Sequence, residues 1–162
     1  MIIGLQPGVT NPDRREVIDI LTEKKIQTTK FIQTKVGSNY YSITTDHWTS
    51  VANANYGCLT LHFIDDFQLH SFVLSFQLHR GGCSGDELAA QLWGSLNTWQ
   101  LSKKQMVALV TDSAGNMNKM GEIIMSDNFS TVSHHYCADH IIHLTAVKAM
   151  STEKQISAVD HL

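Results

Sequence analysis

Two short apolar runs in this chain close on the same dipeptide, Thr-Asp, and no other feature constrains the fold as strongly. Tyr40-Tyr41-Ser42-Ile43-Thr44-Thr45-Asp46, continuing into His47-Trp48-Thr49-Ser50, reads as a β-strand that delivers a carboxylate at its end. Met106-Val107-Ala108-Leu109-Val110-Thr111-Asp112 repeats the design. If the two strands are neighbours in one sheet, Asp46 and Asp112 meet beside the loops that follow them.

The chain has 162 residues, 43% of them hydrophobic and 17% charged, which suits one domain with a single core. Its net charge of −3 carries no basic footprint, so weak DNA binding or none is expected from this chain alone. Three cysteines, Cys58, Cys83 and Cys137, an absent secretory signal and the lack of a membrane-length apolar run point to a reduced intracellular setting and no membrane partner.

In chain order, Thr10-Asn11-Pro12-Asp13 starts a helix, Val17, Ile18, Ile20, Leu21, Ile26 and Phe31 form its apolar stripe, and Gly37 stops it. After the Asp46 strand, Gly57 to Ile64 alternates with period two, Asp65-Asp66 turns, and Phe67 to Leu78 returns with Phe72, Leu74, Phe76 and Leu78 expected on one face. Ser84-Gly85-Asp86-Glu87 is a capping box after the Arg80-Gly81-Gly82-Cys83 loop, and Leu88, Leu92, Leu96 and Trp99 make the face of the helix it opens. That helix leads into the Asp112 strand, so a parallel crossover is implied. A helix from Ser113 to about Met125, a strand over Ser130–Tyr136 and a last helix over Ala138–Met150 complete the order.

Four motifs stand in this frame: Thr45-Asp46-His47-Trp48-Thr49-Ser50, His62-Phe63-Ile64-Asp65, Val110-Thr111-Asp112-Ser113-Ala114-Gly115-Asn116 and Cys137-Ala138-Asp139-His140-Ile141-Ile142-His143-Leu144. Together they resemble the catalytic core of hAT-superfamily transposases and of their domesticated relatives, the BED-type zinc finger proteins. The resemblance implies an α/β, ribonuclease H-like mixed sheet, with three antiparallel strands and then helix-linked parallel ones. The division that follows is an N-terminal helical segment over 1–38, a partial core over 39–150 and a polar tail over 151–162, the fold being incomplete at its C-terminus. It implies a nuclear location, and DNA as the ancestral partner. A protein partner or a second copy is the other partner considered.

For function, the resemblance implies metal-dependent DNA strand transfer, with Asp46 and Asp112 as metal-binding carboxylates for Mg²⁺ or Mn²⁺ and a distant glutamate as the third acid. Hard divalent ions prefer such carboxylate oxygens. No third acid stands in the family's context. Glu122, Glu153 and Asp160 have the right type only, so an autonomous enzyme is not expected. An interaction module within a domesticated transposase, or a nuclease with a substitute acid, are the alternatives. Read without the family, Asp46 and Asp112 are backbone-capping residues, Asn116 packs at a helix start, and Trp48 is a buried neighbour of the core. Cys137 and His140 form one Cys-x-x-His pair, with His143 three residues on. A closed zinc site needs a second pair, so a structural strand-to-helix junction is expected there and zinc is not.

Overall fold

The run around Asp46 forms β1 (Tyr41–Thr49), the central strand of a five-stranded sheet. The computed structural model describes residues 12–79, 83–127 and 131–159, with 152–159 described by backbone alone. β1 pairs antiparallel with β2 (Asn55–Asp65), which pairs antiparallel with β3 (Gln68–His79). On its other side β1 runs parallel to β4 (Met106–Thr111), and β4 runs parallel to β5 (Ser133–Tyr136). The resulting order, β3-β2-β1-β4-β5, is the mixed α/β sheet that the resemblance implied.

Among the described residues four α-helices accompany the strands: α1 (Arg14–Val36), α2 (Gly85–Thr98), α3 (Gly115–Ser126) and α4 (Ala138–Val159). The chain divides into two compact units, 1–35 and 36–162. In the first, α1 is capped two residues later than its sequence suggests. Asp13 Oδ1 accepts from the backbone N–H groups of Arg15 and Glu16 at 2.7 and 2.8 Å, and Glu16 Oε2 accepts from the Asp13 N–H at 2.9 Å. That reciprocal pair satisfies donors which a helix start leaves open, so Pro12 stands before the cap and not inside the helix. Thr10 and Asn11 lie outside the described residues. The stripe Val17, Ile18, Ile20, Leu21, Ile26 and Phe31 stands exposed, because periodicity places apolar groups on a helix but does not supply what covers them.

In the second unit the two faces of the sheet differ. Tyr41, Ile43 and Thr45 of β1, Leu61 and Phe63 of β2, and Leu109 and Thr111 of β4 are buried on one face. Leu88, Ala89, Leu92 and Leu96 of α2 and Met117, Met120 and Ile124 of α3 are buried as well, and these two helices pack on one another. Each such Leu, Ile or Met side chain contributes about 1.5–3 kcal/mol on leaving water. The Ser84–Glu87 capping box read from sequence is present: Glu87 N–H donates to Ser84 Oγ at 3.3 Å and Ser84 N–H to Glu87 Oε2 at 2.8 Å. The backbone and hydroxyl hydrogen bonds from Ser84 hold the Glu87 carboxyl below its ordinary value.

The expected common face of Phe72, Leu74, Phe76 and Leu78 does not form. β3 carries one extra residue where Leu59 pairs with Ser75 and Thr60 with Val73, so Leu74 is a bulge and the alternation changes phase there. Phe72 pairs with Leu61 on the core side, whereas Phe76 pairs with Cys58 on the opposite side. The Trp99 indole N–H donates to the carbonyl of Leu74 at 2.9 Å, satisfying an acceptor at the bulge. The hairpin before it turns on Asp66 and Phe67, one residue later than the Asp65-Asp66 turn expected. At the far end α4 continues to Val159, past Met150, so nine residues read as part of a polar tail are helical. Of the strand expected over Ser130–Tyr136, Ser133–Tyr136 pairs in the sheet while Thr131 and Val132 precede it outside the ladder; Ser130 lies outside the described residues, as do Arg80, Gly81 and Gly82 of the loop before α2.

Candidate metal centre

The position of Asp46 follows from two ladders that stop at different places. Parallel pairing of β1 with β4 stops at Thr44 opposite Val110, while antiparallel pairing with β2 continues through Asp46, His47 and Trp48 to Thr49. Asp46 is therefore at the end of the parallel ladder and not, as read from sequence, at the end of its strand. Two residues past Thr44 comes Asp46, and two past Val110 comes Asp112, so the register brings both out on one face at one level. Thr44, Asp46, Cys58, Thr60, Val110 and Asp112 line an open depression of about 560 Å³.

The remaining wall comes from the start of α4. The Cys137 N–H donates to the carbonyl of Thr111 at 2.6 Å, and the Ile141 N–H donates to the Cys137 carbonyl at 3.1 Å, so Cys137 caps α4 while tied to the end of β4. Asp139, His140 and His143 then line the same depression, the two histidines sharing a helix face at their three-residue spacing. The Cys-x-x-His pair thus sits at the strand-to-helix junction beside the two carboxylates.

Each acid has a definite local role. Asp112 Oδ1 accepts from the Ala114 N–H at 2.9 Å, fixing the turn into α3, and this leaves Oδ2 for the depression. Asp112 is not the α3 cap, a position held by Ala114 without a side-chain bond. Asn116 Nδ2 donates to the Cys83 carbonyl at 3.1 Å, which is helix-start packing. Glu122 pairs with Lys119 at 3.3 Å on an exposed helix face and does not line the depression. The Glu153 side chain and Asp160 lie outside the described residues. Asp139, which stands in the Cys137 motif and was given no role from sequence, is a third carboxylate on the wall. Among the described residues no three His, Cys, Asp or Glu side chains converge as a metal-binding group. Carboxylate oxygens, the donors that Asp46 and Asp112 bring to the depression, are the type a hard divalent cation prefers.

Trp48 departs from the buried position expected of it. It is 41% exposed on the Asp46 face and joins a cluster with Tyr56 and Phe76, ring centres 5.8, 5.7 and 5.5 Å apart. Tyr56 stands opposite Trp48 in the register, and the β3 bulge turns Phe76 to the same side. Period-two reading could have paired none of these, since the pairing depends on register and on the bulge. On the other face His47 is half buried. Burial first, then the neighbouring His79, lower its pKa, and together they outweigh the carboxylates of Asp112 and Asp46, which raise it.

Against known proteins, the family described as the ZBED1 RNase-like domain matches residues 44–138, more than half of the chain. The chain belongs to this family. Its match spans Asp46, Trp48, Asp112 and Cys137 and ends just before Asp139 and His140. Two curated relatives are the Putative AC transposase and the Putative AC9 transposase of Zea mays, each 28% identical over 142 residues, covering 82% of this chain and 17% of the relative. The chain therefore spans about 17% of the length of the curated relatives it matches. A solved structure, NurA bound to dAMP and manganese, aligns with 63% of this chain and 28% of that one at 9% identity and a TM-score of 0.20, too low a likeness to bear on the fold. This RNase-like chain is thus transposase-derived and of the hAT type. Among the described residues no helix is long and apolar enough to cross a membrane.

Proposed function

We propose that this chain supplies two carboxylates, Asp46 and Asp112, of a metal-dependent centre for DNA strand cleavage and transfer, and that it does not catalyse the reaction alone. The observation that carries this reading is the shared register: both acids leave the parallel β1–β4 ladder at one level and line one depression. Asp46 and Asp112 would hold divalent ions, Mg²⁺ or Mn²⁺, which when bound would supply electrostatic stabilisation of the charge that develops in a phosphoryl transfer. The chain's own residues hold the carboxylates apart from the core, fix Asp112 through Ala114, and set Trp48, Tyr56 and Phe76 beside them as a surface on which a base can stack. With a net charge of −3 the chain adds no long-range attraction for DNA, so DNA would be brought by another part of a larger assembly, in the nucleus.

Titration calorimetry with Mg²⁺ and Mn²⁺ tests this. The parent chain should bind in the micromolar to low-millimolar range, and a double Asp46→Asn, Asp112→Asn variant should bind at least about tenfold more weakly. Identical titrations for the two proteins would overturn the reading. A second reading, an interaction module, is favoured by Ile141, Ile142, Leu144, Val147 and Met150, which all stand exposed along α4.

A further inference from the structure

Next to the carboxylate pair, but on the opposite face of β1, two imidazoles meet over a glycine. His47 on β1 stands opposite Gly57 on β2, and His79 lies at the end of β3, one strand further out. Gly57 leaves the space between them. A β-carbon there would lie 2.5 Å from His47 Nε2 and 2.6 Å from His79 Nε2, so both nitrogens bracket one point. The spacing is chemically specific. An ion held tetrahedrally about 2.0–2.1 Å from two imidazole nitrogens sets the ring centres roughly 5 Å apart. The two rings here have centres 5.2 Å apart and are tilted by 38°.

A second observation concerns the surroundings of the His47 ring. His47 Nδ1 and Thr45 Oγ1 are both buried without a hydrogen-bond partner. Both residues, together with Gly57 and His79, line a cavity of about 20 Å³, enough for one water-sized occupant. On the outer side, His47 and His79 border a depression of about 220 Å³ together with Cys83 and Asn116, through which an ion can enter.

We propose that His47 and His79 hold one borderline divalent transition ion of the zinc type through their Nε2 atoms above Gly57. Water fills the remaining positions, since no third His, Cys, Asp or Glu converges among the described residues. Imidazole donors select such ions over Mg²⁺, whose preference is for carboxylate oxygen. The site ties β1 to β3 across β2 at the end of the sheet where Asp46 and Trp48 emerge on the other face.

The test is calorimetric titration of the full chain with Zn²⁺ in excess Mg²⁺, repeated with Co²⁺, whose visible absorption reports tetrahedral nitrogen ligation. One equivalent should bind and should raise the melting temperature. His47→Gln and His79→Gln should each weaken binding by at least about tenfold, on the scale of losses at supported metal sites. Each variant should keep its zinc-free melting transition, which shows that the fold survives, and lose the zinc-induced rise. The Asp46→Asn, Asp112→Asn double variant and a Cys137→Ser, His140→Gln variant should bind zinc as the parent does. Absence of zinc binding in the parent, binding that survives either histidine substitution, or binding abolished by the carboxylate or Cys-x-x-His variants would each overturn the proposal.

Discussion

Gly121 shows how a single residue in the second unit is specified by what lies across from it. It lies inside α3, where glycine costs about 1 kcal/mol against alanine, yet a β-carbon there would run into the ring of His134. The ring cannot swing away freely, because its Nε2 is 2.9 Å from Thr111 Oγ1 and Tyr136 meets it edge-on. Gly121→Ala should therefore destabilise the chain despite its better helix propensity, since overpacking costs about 1–3 kcal/mol. In a His134→Ala background the same change should become stabilising. Urea denaturation of the four proteins decides it, and a Gly121→Ala that stabilises both backgrounds would refute the steric account. Asp46, Asp112, Cys137 and His140 were readable in the sequence as chemistry-bearing residues because each follows an apolar run or begins a helix. Their gathering around one depression was not, because it depends on where the β1–β4 ladder ends.

Among the elements, the β2–β3 hairpin carries the clearest local cost. Its two-residue turn puts Asp66 at φ 48° and Phe67 at φ 59°, both left-handed. Such turns match the twist of the strands but favour Asn and Gly at these places. Phe67 is fully exposed, so its ring gains nothing from packing while its backbone bears the left-handed penalty. Phe67→Gly should stabilise the hairpin by about 1 kcal/mol, relief of left-handed strain exceeding the added chain entropy. Thermal denaturation measures it, and a lowered midpoint would show that Phe67 makes a contact that outweighs the strain. Strand and helix identities were legible from periodicity and from signals such as the Ser84–Glu87 box. The Leu74 bulge was not, because nothing in an alternating run marks which residue will stand unpaired, and that one residue decides which way Phe76 and Leu78 face.

For the whole molecule, three histidines respond to pH together. Burial lowers the pKa of His47, of His62 and of His134, with His79 adding to the effect at His47 and His135 at His134. His62 is held between Thr44 Oγ1 and Ser71 Oγ at 3.0 and 2.8 Å. A group whose folded pKa lies below its unfolded value binds fewer protons when folded, so stability rises with pH through the window between the two values. Above the ordinary imidazole value of about 6.5 the folded state keeps that stability, and it loses it progressively as pH falls below. Denaturation midpoints should accordingly drop between pH 7.5 and 5.5 by more in the parent than in a His134→Gln variant, and equal drops would remove His134 from the account. By itself the sequence determined the order of strands and helices, that two acids follow apolar runs, and which family the motifs resemble, since these are properties of neighbouring residues. Only the tertiary structure decided that Asp46 and Asp112 share a level, that Trp48 is exposed beside Tyr56 and Phe76, and that His47 and His79 meet over Gly57. Those outcomes depend on strand register, on a one-residue bulge and on the absence of one side chain, and each is set by pairing between segments far apart in the chain.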